Sequence, residues 1–493
     1  MPREKAQAEV LSPSPTAGAS NLTVLLDPDI DSPQVRYGIE QLLRVIGYRS
    51  VFVRHGHAMI YAGADDPAGG RAAVRLAIEP TSHAHEHRPR VVENGGIPMV
   101  CWGESPGVPV DGNRIQFDIV RSTSFWLTLE GERDVAQRDE HGRVLGPDSL
   151  LGTCGLLNVP PIHRYADLLG DLLRERGVEV RPMPRWPNGA NYAVALTHDV
   201  DLPERPARGR VLLGELWHGG TRSRREAYWD LRSTLRSRGM YDSCLAPATR
   251  RPEWDFPLIC ELERRHNLRS AFYFSVVHRD AGDRCDVTYD VRQRRYRRLF
   301  RRLRTGGWEV GLHASYLTRL GTPTVAGQVQ TLAAAGADPI AGVRHHYLQI
   351  DRTDPIRSLL EHSDAGLMYD TSIGFNDCAG LRAGIALPYR PYDSGRMEAR
   401  VFVELPMTLA DMHLPREDEA AAITVVSDHL DCVRSLGGLA VLNWHVGHWY
   451  TDPAWRAAYV AVCEMLSGDA EAWIATPREI ARWWLHGEVA PGA

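Results

Sequence analysis

From Leu22 onward the chain alternates between short apolar runs and amphipathic stretches. Thr23-Val24-Leu25-Leu26 has the length and composition of a strand. Pro33 to Ile46 puts Tyr37, Ile39, Leu42, Leu43 and Ile46 on one helical face, and Ser50-Val51-Phe52-Val53 reads as the next strand. Residues 80–115 read as loops with short strands. Arg164 to Arg176 again has helical spacing, with Tyr165, Leu168, Leu169, Leu172 and Leu173 on one side. Pro182 to Asn188 holds three prolines in seven residues, which predicts a boundary. The expected organisation is a disordered tail over 1–20, a smaller N-terminal α/β domain over 21–185, and a larger domain over 186–493.

Beyond that boundary one theme recurs: an apolar segment that ends in polar or ionisable residues. Tyr192–Thr197 leads to Asp199 and Asp201, Ala271–Phe274 to Ser275, and Trp308–Leu312 to His313. Ile340–Val343 leads to Arg344, His345 and His346, Leu367–Tyr369 to Asp370, and Val401–Val403 to Glu404. Leu439–Trp444 leads to His445, and Ala472–Ile474 is a last segment. A β/α barrel carries its reactive groups at the C-terminal ends of its strands, so this order predicts a barrel. A doubly wound sheet shares that property and is the alternative fold. Between the segments, Arg292 to Arg304 holds eight arginines in thirteen residues, with Tyr296, Leu299, Phe300 and Leu303 forming an apolar stripe. That pattern describes an amphipathic helix with a solvated basic face, without the aromatic or glycine interleaving of a nucleic-acid surface.

Composition narrows the chemistry. The 493-residue chain is 43% hydrophobic and 24% charged, with a net charge of -5, which gives no electrostatic case for nucleic acid. No apolar run approaches the ~18–20 residues of a membrane span, and no secretory h-region opens the chain, so a cytoplasmic protein is expected. The eight cysteines are scattered without a C-x-x-C pair, so neither a disulfide framework nor a zinc ribbon is indicated. Lys5 is the only lysine, in the expected tail. Schiff-base chemistry and a P-loop therefore have no candidate residue.

Asp199 and Asp201 pose an electrostatic problem. On a strand they project to the same side, and two buried carboxylates require a cation or a shared proton. Barrel closure would bring Asp199, Asp201, His313, Arg344, His345, His346, Asp370 and His445 towards one funnel. No Gly-x-Ser-x-Gly elbow is present, and no Cys has an obvious His partner, so covalent acyl transfer lacks a nucleophile.

Several of these segments resemble motifs of the polysaccharide deacetylase superfamily (family 4 carbohydrate esterases), in particular its large intracellular two-domain members. Leu196-Thr197-His198-Asp199-Val200-Asp201 resembles its Thr-Phe-Asp-Asp motif. Trp308 to Tyr316 resembles its Gly-His-Glu-x-Gly-x-His-Ser/Thr motif, and Arg344-His345-His346-Tyr347 falls where its Arg-x-Pro-Tyr motif would. Tyr369 to Phe375 and Gly380-Leu381-Arg382-Ala383-Gly384 resemble segments of the intracellular subgroup. Asn443-Trp444-His445 resembles the late Leu-x-His motif, and Phe117 to Arg143 resembles the accompanying N-terminal domain.

The resemblance implies a distorted (β/α)7 barrel and a divalent metal, with zinc the expected ion. It matches Asp199 to the general base, Asp201 and His313 to metal ligands, Arg344 to the residue that orients the base, and His445 to the general acid. Asp370 is grouped with the catalytic residues. The family's second metal histidine would fall at Leu317, which cannot bind metal. His346 is the foremost replacement and His198 the next. The expected activity is metal-dependent hydrolysis of an N-acetyl group on an amino sugar or short glycan precursor. Asp199 would act as base on the metal-activated water and His445 as acid to the amine. A metal-free amide hydrolase of small molecules and a non-catalytic barrel scaffold are the alternatives. Trp444, Trp449 and Tyr450 stand beside His445 as either sugar platforms or packing.

Overall fold

The computed structural model describes residues 20–55, 58–63, 72–78, 90–94, 97–101, 110–133, 135–179, 181–203, 254, 256–277 and 285–487. The tail expected over 1–20 lies outside them, apart from Ser20. The N-terminal part forms a six-stranded sheet in the order β2-β1-β3-β4-β8-β7. Its strands are β1 (Asn21–Leu26), β2 (Arg49–Val53), β3 (Ala58–Ala62), β4 (Ala72–Leu76), β7 (Val110–Asp111) and β8 (Arg114–Ile115). A separate hairpin pairs β5 (Arg90–Asn94) with β6 (Ile97–Cys101). The helix Pro33–Val45 starts where expected: Ser32 caps it through Val35 N–H, and a proline fills the first turn. Its buried face holds Tyr37, Ile39, Leu42 and Leu43. The helix Pro161–Glu175 likewise buries Tyr165, Leu169, Leu172 and Leu173.

The second sheet has nine strands. It contains β9 (Tyr192–Val200), β10 (Ser270–Phe274), β11 (Glu309–Ala314), β12 (Gly342–His345) and β13 (Tyr369–Asp370). After the small hairpin β14 (Tyr392–Asp393) and β15 (Glu398–Ala399) come β16 (Val403–Glu404), β17 (Leu409–Ala410), β18 (Leu439–Asn443) and β19 (Ala472–Ile474). The order is β16-β13-β12-β11-β10-β9-β18-β17, and every pairing is parallel. β19 takes the lower part of the β9 edge that β10 occupies above. Strands follow one another round the sheet in chain order without a reversal point, which is barrel order and not the doubly wound alternative.

The ring is distorted. β16 pairs with β13 and β17 with β18, so one extended segment, 403–410, touches both free edges. Leu405 N–H donates to Asp370 O at 2.9 Å, and Thr408 N–H to Val441 O at 3.0 Å. The expected segments are present, but β11 and β12 run on through their polar ends, so His313 and Arg344 are strand residues. The basic helix spans Arg294–Thr305 and buries Tyr296, Leu299, Phe300 and Leu303. Among the described residues no helix is long and apolar enough to cross a membrane.

Strand alternation sorts the residues into two sets. Val194, Leu196, Phe272, Phe274, Val310, Leu312, Val343, Ala440 and Leu442 face outward and share one apolar cluster with the surrounding helices. The intervening positions face inward. At the bottom of the barrel Tyr273 and Tyr369 fill the interior, their hydroxyls 2.9 Å apart, and Tyr369 donates to Glu309 Oε1 at 2.9 Å. Helix Pro477–His486 closes this end, with Arg478 N–H donating to Glu309 Oε2 at 3.0 Å. Gly311 and Gly342 make room for the two rings: a Cβ on either would run into Tyr273 or Tyr369. Gly342→Ala should therefore destabilise the protein by about 1–3 kcal/mol through overpacking. Urea denaturation of the two proteins measures this, and an unchanged midpoint would disprove the packing account.

Candidate active site

Above the tyrosine plug the inward positions become polar. β9 contributes Thr197 and Asp199, with Asp201 just past its end. β11 gives His313, β12 gives Arg344, β18 gives Asn443, and His445 follows it. These side chains share the barrel interior because each lies an even number of residues from an inward-facing neighbour on its strand.

Asp199 is buried and held from two sides. Its Oδ1 accepts from Arg344 Nη1 at 3.2 Å, and its Oδ2 accepts from Asn443 Nδ2 at 2.9 Å. Arg344 is fully buried, and its fork is fixed by Thr197 Oγ1 (2.8 Å), Thr371 O (3.1 Å) and Thr371 Oγ1 (2.9 Å). Burial alone would raise the Asp199 carboxyl. Arg344, His313 and His445 outweigh it and hold the group below its ordinary range, as a carboxylate.

Asp201 meets two imidazoles. His313 Nε2 lies 3.2 Å and His346 Nε2 3.3 Å from Asp201 Oδ1. The group's ligand atoms lie within 4.8 Å of one another. Asp201 Oδ1 and His313 Nε2 are buried without a hydrogen-bond partner. Two donors, each ~2.0–2.1 Å from a tetrahedral zinc, would sit about 3.4 Å apart, close to both observed spacings. One carboxylate and two imidazoles suit zinc, and the fourth position of such a site would be open. Each histidine is also held from behind. His313 Nδ1–H donates to Arg344 O at 3.0 Å, which leaves Nε2 as the free donor atom. The carboxylate of Asp286 lies 3.6 Å from His346 Nδ1. Burial would lower the His346 imidazole, but Asp201 and Asp286 hold it up at about 9. Asp286 itself accepts from Ser315 Oγ and from Tyr316 N–H at 3.0 Å.

His445 also approaches the two carboxylates, its Nε2 3.9 Å from Asp199 Oδ2 and 3.8 Å from Asp201 Oδ2. Asp411, directly after β17, orients it: Oδ1 accepts from His445 Nδ1 at 2.8 Å and Oδ2 from His445 N–H at 2.9 Å. His448 shares the same carboxylate, with Nδ1 3.0 Å from Asp411 Oδ2. Burial opposes the charge on His445, but Asp411, Asp201 and Asp199 raise it to about 10. Asp201, His448 and His445 are the members of the cluster that reach solvent, with side chains 30%, 28% and 14% exposed.

Asp370 is a correction. It lies next to the inward-facing Tyr369, so its side chain points away from the cluster. Its carboxylate accepts from Ser372 N–H and Ser372 Oγ and lies 3.0 Å from His362 Nδ1. His345 is on the same outer side, its Nε2 2.8 Å from His362 Nε2, and burial pushes it down to about 3. His198, the second replacement ligand, also faces outward, against Glu263 (2.9 Å), Tyr459 and Trp444 O. Trp444 is buried packing, its indole N–H donating to Trp455 O at 2.9 Å, and Trp449 packs edge-on near Tyr459. The side chain of Tyr450 lies outside the described residues. Asp286, Asp411, Asn443 and His448 are site residues that sequence patterning did not assign. Asn443 stood in a quoted motif, and Asp411 follows a two-residue strand too short to give an apolar run.

No family model matches the chain, and no curated protein matches it in sequence. Among solved structures, a Mycobacterium smegmatis protein assigned as a polysaccharide deacetylase is 18% identical. The alignment covers 62% of this chain and 95% of that one at a TM-score of 0.40. The PuuE allantoinase is 18% identical over 64% and 96% of the two chains, at 0.38. A Pseudomonas aeruginosa PAO1 protein, also assigned as a polysaccharide deacetylase, is 18% identical over 64% and 97%, at 0.37. At TM-scores this low the likeness carries no weight.

Replacing Asp411 by Asn removes the carboxylate that contributes most to holding His445 charged. The imidazole should then titrate at lower pH, moving from about 10 towards its ordinary value near 6.5. Histidine-selective NMR titration of the two proteins measures the shift, and an unmoved His445 resonance would refute the pairing.

Proposed function

We propose that this chain is a metal-dependent hydrolase of amide C–N bonds whose substrate is an N-acetylated amino sugar or a short glycan carrying one. The observation that carries the reading is the set of orphaned donor atoms of Asp201 and His313, with His346 beside them, between a held carboxylate and a held imidazole. Asp201, His313 and His346 would hold the ion, with zinc expected. Once bound, a divalent ion polarises the scissile carbonyl and lowers the pKa of an adjacent water.

The chain's own residues do the rest. Asp199 takes the proton of the attacking water as its oxygen adds to the carbonyl carbon. Arg344 and Asn443 hold that carboxylate in place, and Arg344 keeps it ionised before the transfer. His445 carries the proton that the departing nitrogen needs, because an amine anion is too basic to leave. Asp411 keeps His445 charged and aims Nε2 into the site. The C–N bond then breaks to a carboxylic acid and a free amine. The sugar class is drawn from the motif resemblance at Leu196–Asp201, Trp308–Tyr316 and Asn443–His445.

A panel of N-acetylated sugars and small amides, assayed with zinc added and with chelator, tests the reading. Activity on an N-acetyl sugar should require the metal. Asp199→Asn and His445→Ala should each lower the rate by about 10²–10⁴-fold. Retained activity after complete metal removal would favour the metal-free amide hydrolase instead.

A further inference from the structure

We infer that the turn Asp139–Arg143, upstream of the barrel, positions the third metal ligand, with Arg143 as the acting side chain. The inference rests on His346 being a ligand, as proposed above.

His346 opens a distorted 3-10 turn, His346–Leu348, and not a regular strand or helix. It follows the last residue of β12, and the two residues after it, Tyr347 (φ 57°) and Leu348 (φ 53°), are both left-handed without being glycine. Side chains disfavour that conformation, and it persists only where the surroundings impose it. Besides the Tyr316 ring, 5.4 Å from that of Tyr347, the contacts on this stretch come from residues 139–143. Arg143 Nη1 donates to Tyr347 O at 2.9 Å. Gln349 Nε2 donates to His141 O at 3.2 Å, and the Arg352 guanidinium donates to the same carbonyl. The His141 ring lies 4.6 Å from the Tyr347 ring, which lies 4.7 Å from the His346 ring.

The turn is itself rigid. Asp139 Oδ1 accepts from His141 N–H (3.0 Å) and Arg143 N–H (2.8 Å), while Oδ2 accepts from Arg143 Nε (2.7 Å). Gly142 is left-handed (φ 74°), and a Cβ there would strike the Arg352 guanidinium. Arg138 donates to Glu132 O at 2.6 Å, and Glu132 forms a two-pronged pair with the buried Arg382 (2.7 and 2.8 Å) of the barrel. The turn is thus anchored to one part of the barrel and presses on another. Arg143 has no contact with Asp201 or His313 and acts only through the 346–348 backbone. The chain replaces the ligand missing at Leu317 with a histidine on a strained turn, and supplies the brace from its N-terminal part.

Zinc affinity of the full chain, measured by chelator competition, tests this, with the cobalt absorption spectrum as a report on ligand geometry. Arg143→Ala should weaken zinc binding by about 10–100-fold, the effect expected for removing support behind a ligand, and should alter the cobalt bands. Arg143→Lys, which can still donate to Tyr347 O, should recover part of the loss. A purely structural role would lower the melting temperature and leave affinity and spectrum of the folded fraction unchanged. Should Arg143→Ala not fold, Asp139→Asn, which loosens the same guanidinium, takes its place with the same expectation. If His346→Ala binds zinc as the parent does, the metal reading itself fails. If His346→Ala loses zinc while Arg143→Ala and Asp139→Asn bind within about twofold of the parent, the metal reading stands and the brace is overturned.

Discussion

Burying the Asp199 carboxylate on the inward side of β9, with the half-buried carboxylate of Asp201 just past the strand's end, is the constraint on which the rest of the barrel depends. A carboxylate removed from water must be paired and hydrogen-bonded or it neutralises. Asp199 is paired by Arg344, and Arg344 is itself buried, so the cost moves to the guanidinium. Its hydrogen bonds to Thr197 and Thr371 meet part of that cost, and the Tyr273 ring 5.0 Å beneath it supports the plane. Tyr273 fits there because Gly311 and Gly342 carry no side chain into its space and that of Tyr369. The residues that hold the base ionised are thus stacked upon those that fill the barrel floor. Packing at the bottom and charge at the top form one column.

Much of this was legible in the residue pattern. The apolar-then-polar segments located the strands, and alternation along Ala193–Asp201 put Asp199 and Asp201 on one side. What the pattern could not supply was the side on which the other polar ends lie. His345 and His346 are adjacent, so on a strand they would face opposite ways, and nothing in the spacing says which faces in. The strand ends at His345, and the turn after it carries His346 inward. Asp370 was misplaced for the same reason: its segment contributes only two paired residues, and the inward one is Tyr369. Asp411 was invisible because β17 is two residues long and β16, the strand before it in the chain, is equally short. Asp286 follows no apolar segment at all. The roles of residues 130–143 depend on contacts with partners more than two hundred residues away, which local patterning does not encode.

The outer face of the same strands shows why residue type alone does not define a site. His345, His362, Asp370 and Glu404 form a buried cluster of histidines and carboxylates much like the inner one in composition. There the two acids resolve their repulsion differently. Burial and the Asp370 charge push Glu404 well above the ordinary carboxyl range, so it keeps its proton, while His362 holds Asp370 ionised. On the inner face Asp199 and Asp201 both lie below their ordinary range, and neither carries a proton to share. The first pair is compensated by a proton, the second by cationic neighbours, at an opening to solvent. A protonated pair sealed under helices can stabilise a barrel wall. An ionised pair beside free imidazole nitrogens, within reach of water, can bind a cation and take up a proton. That difference in how charge is neutralised separates wall from reaction centre in this fold.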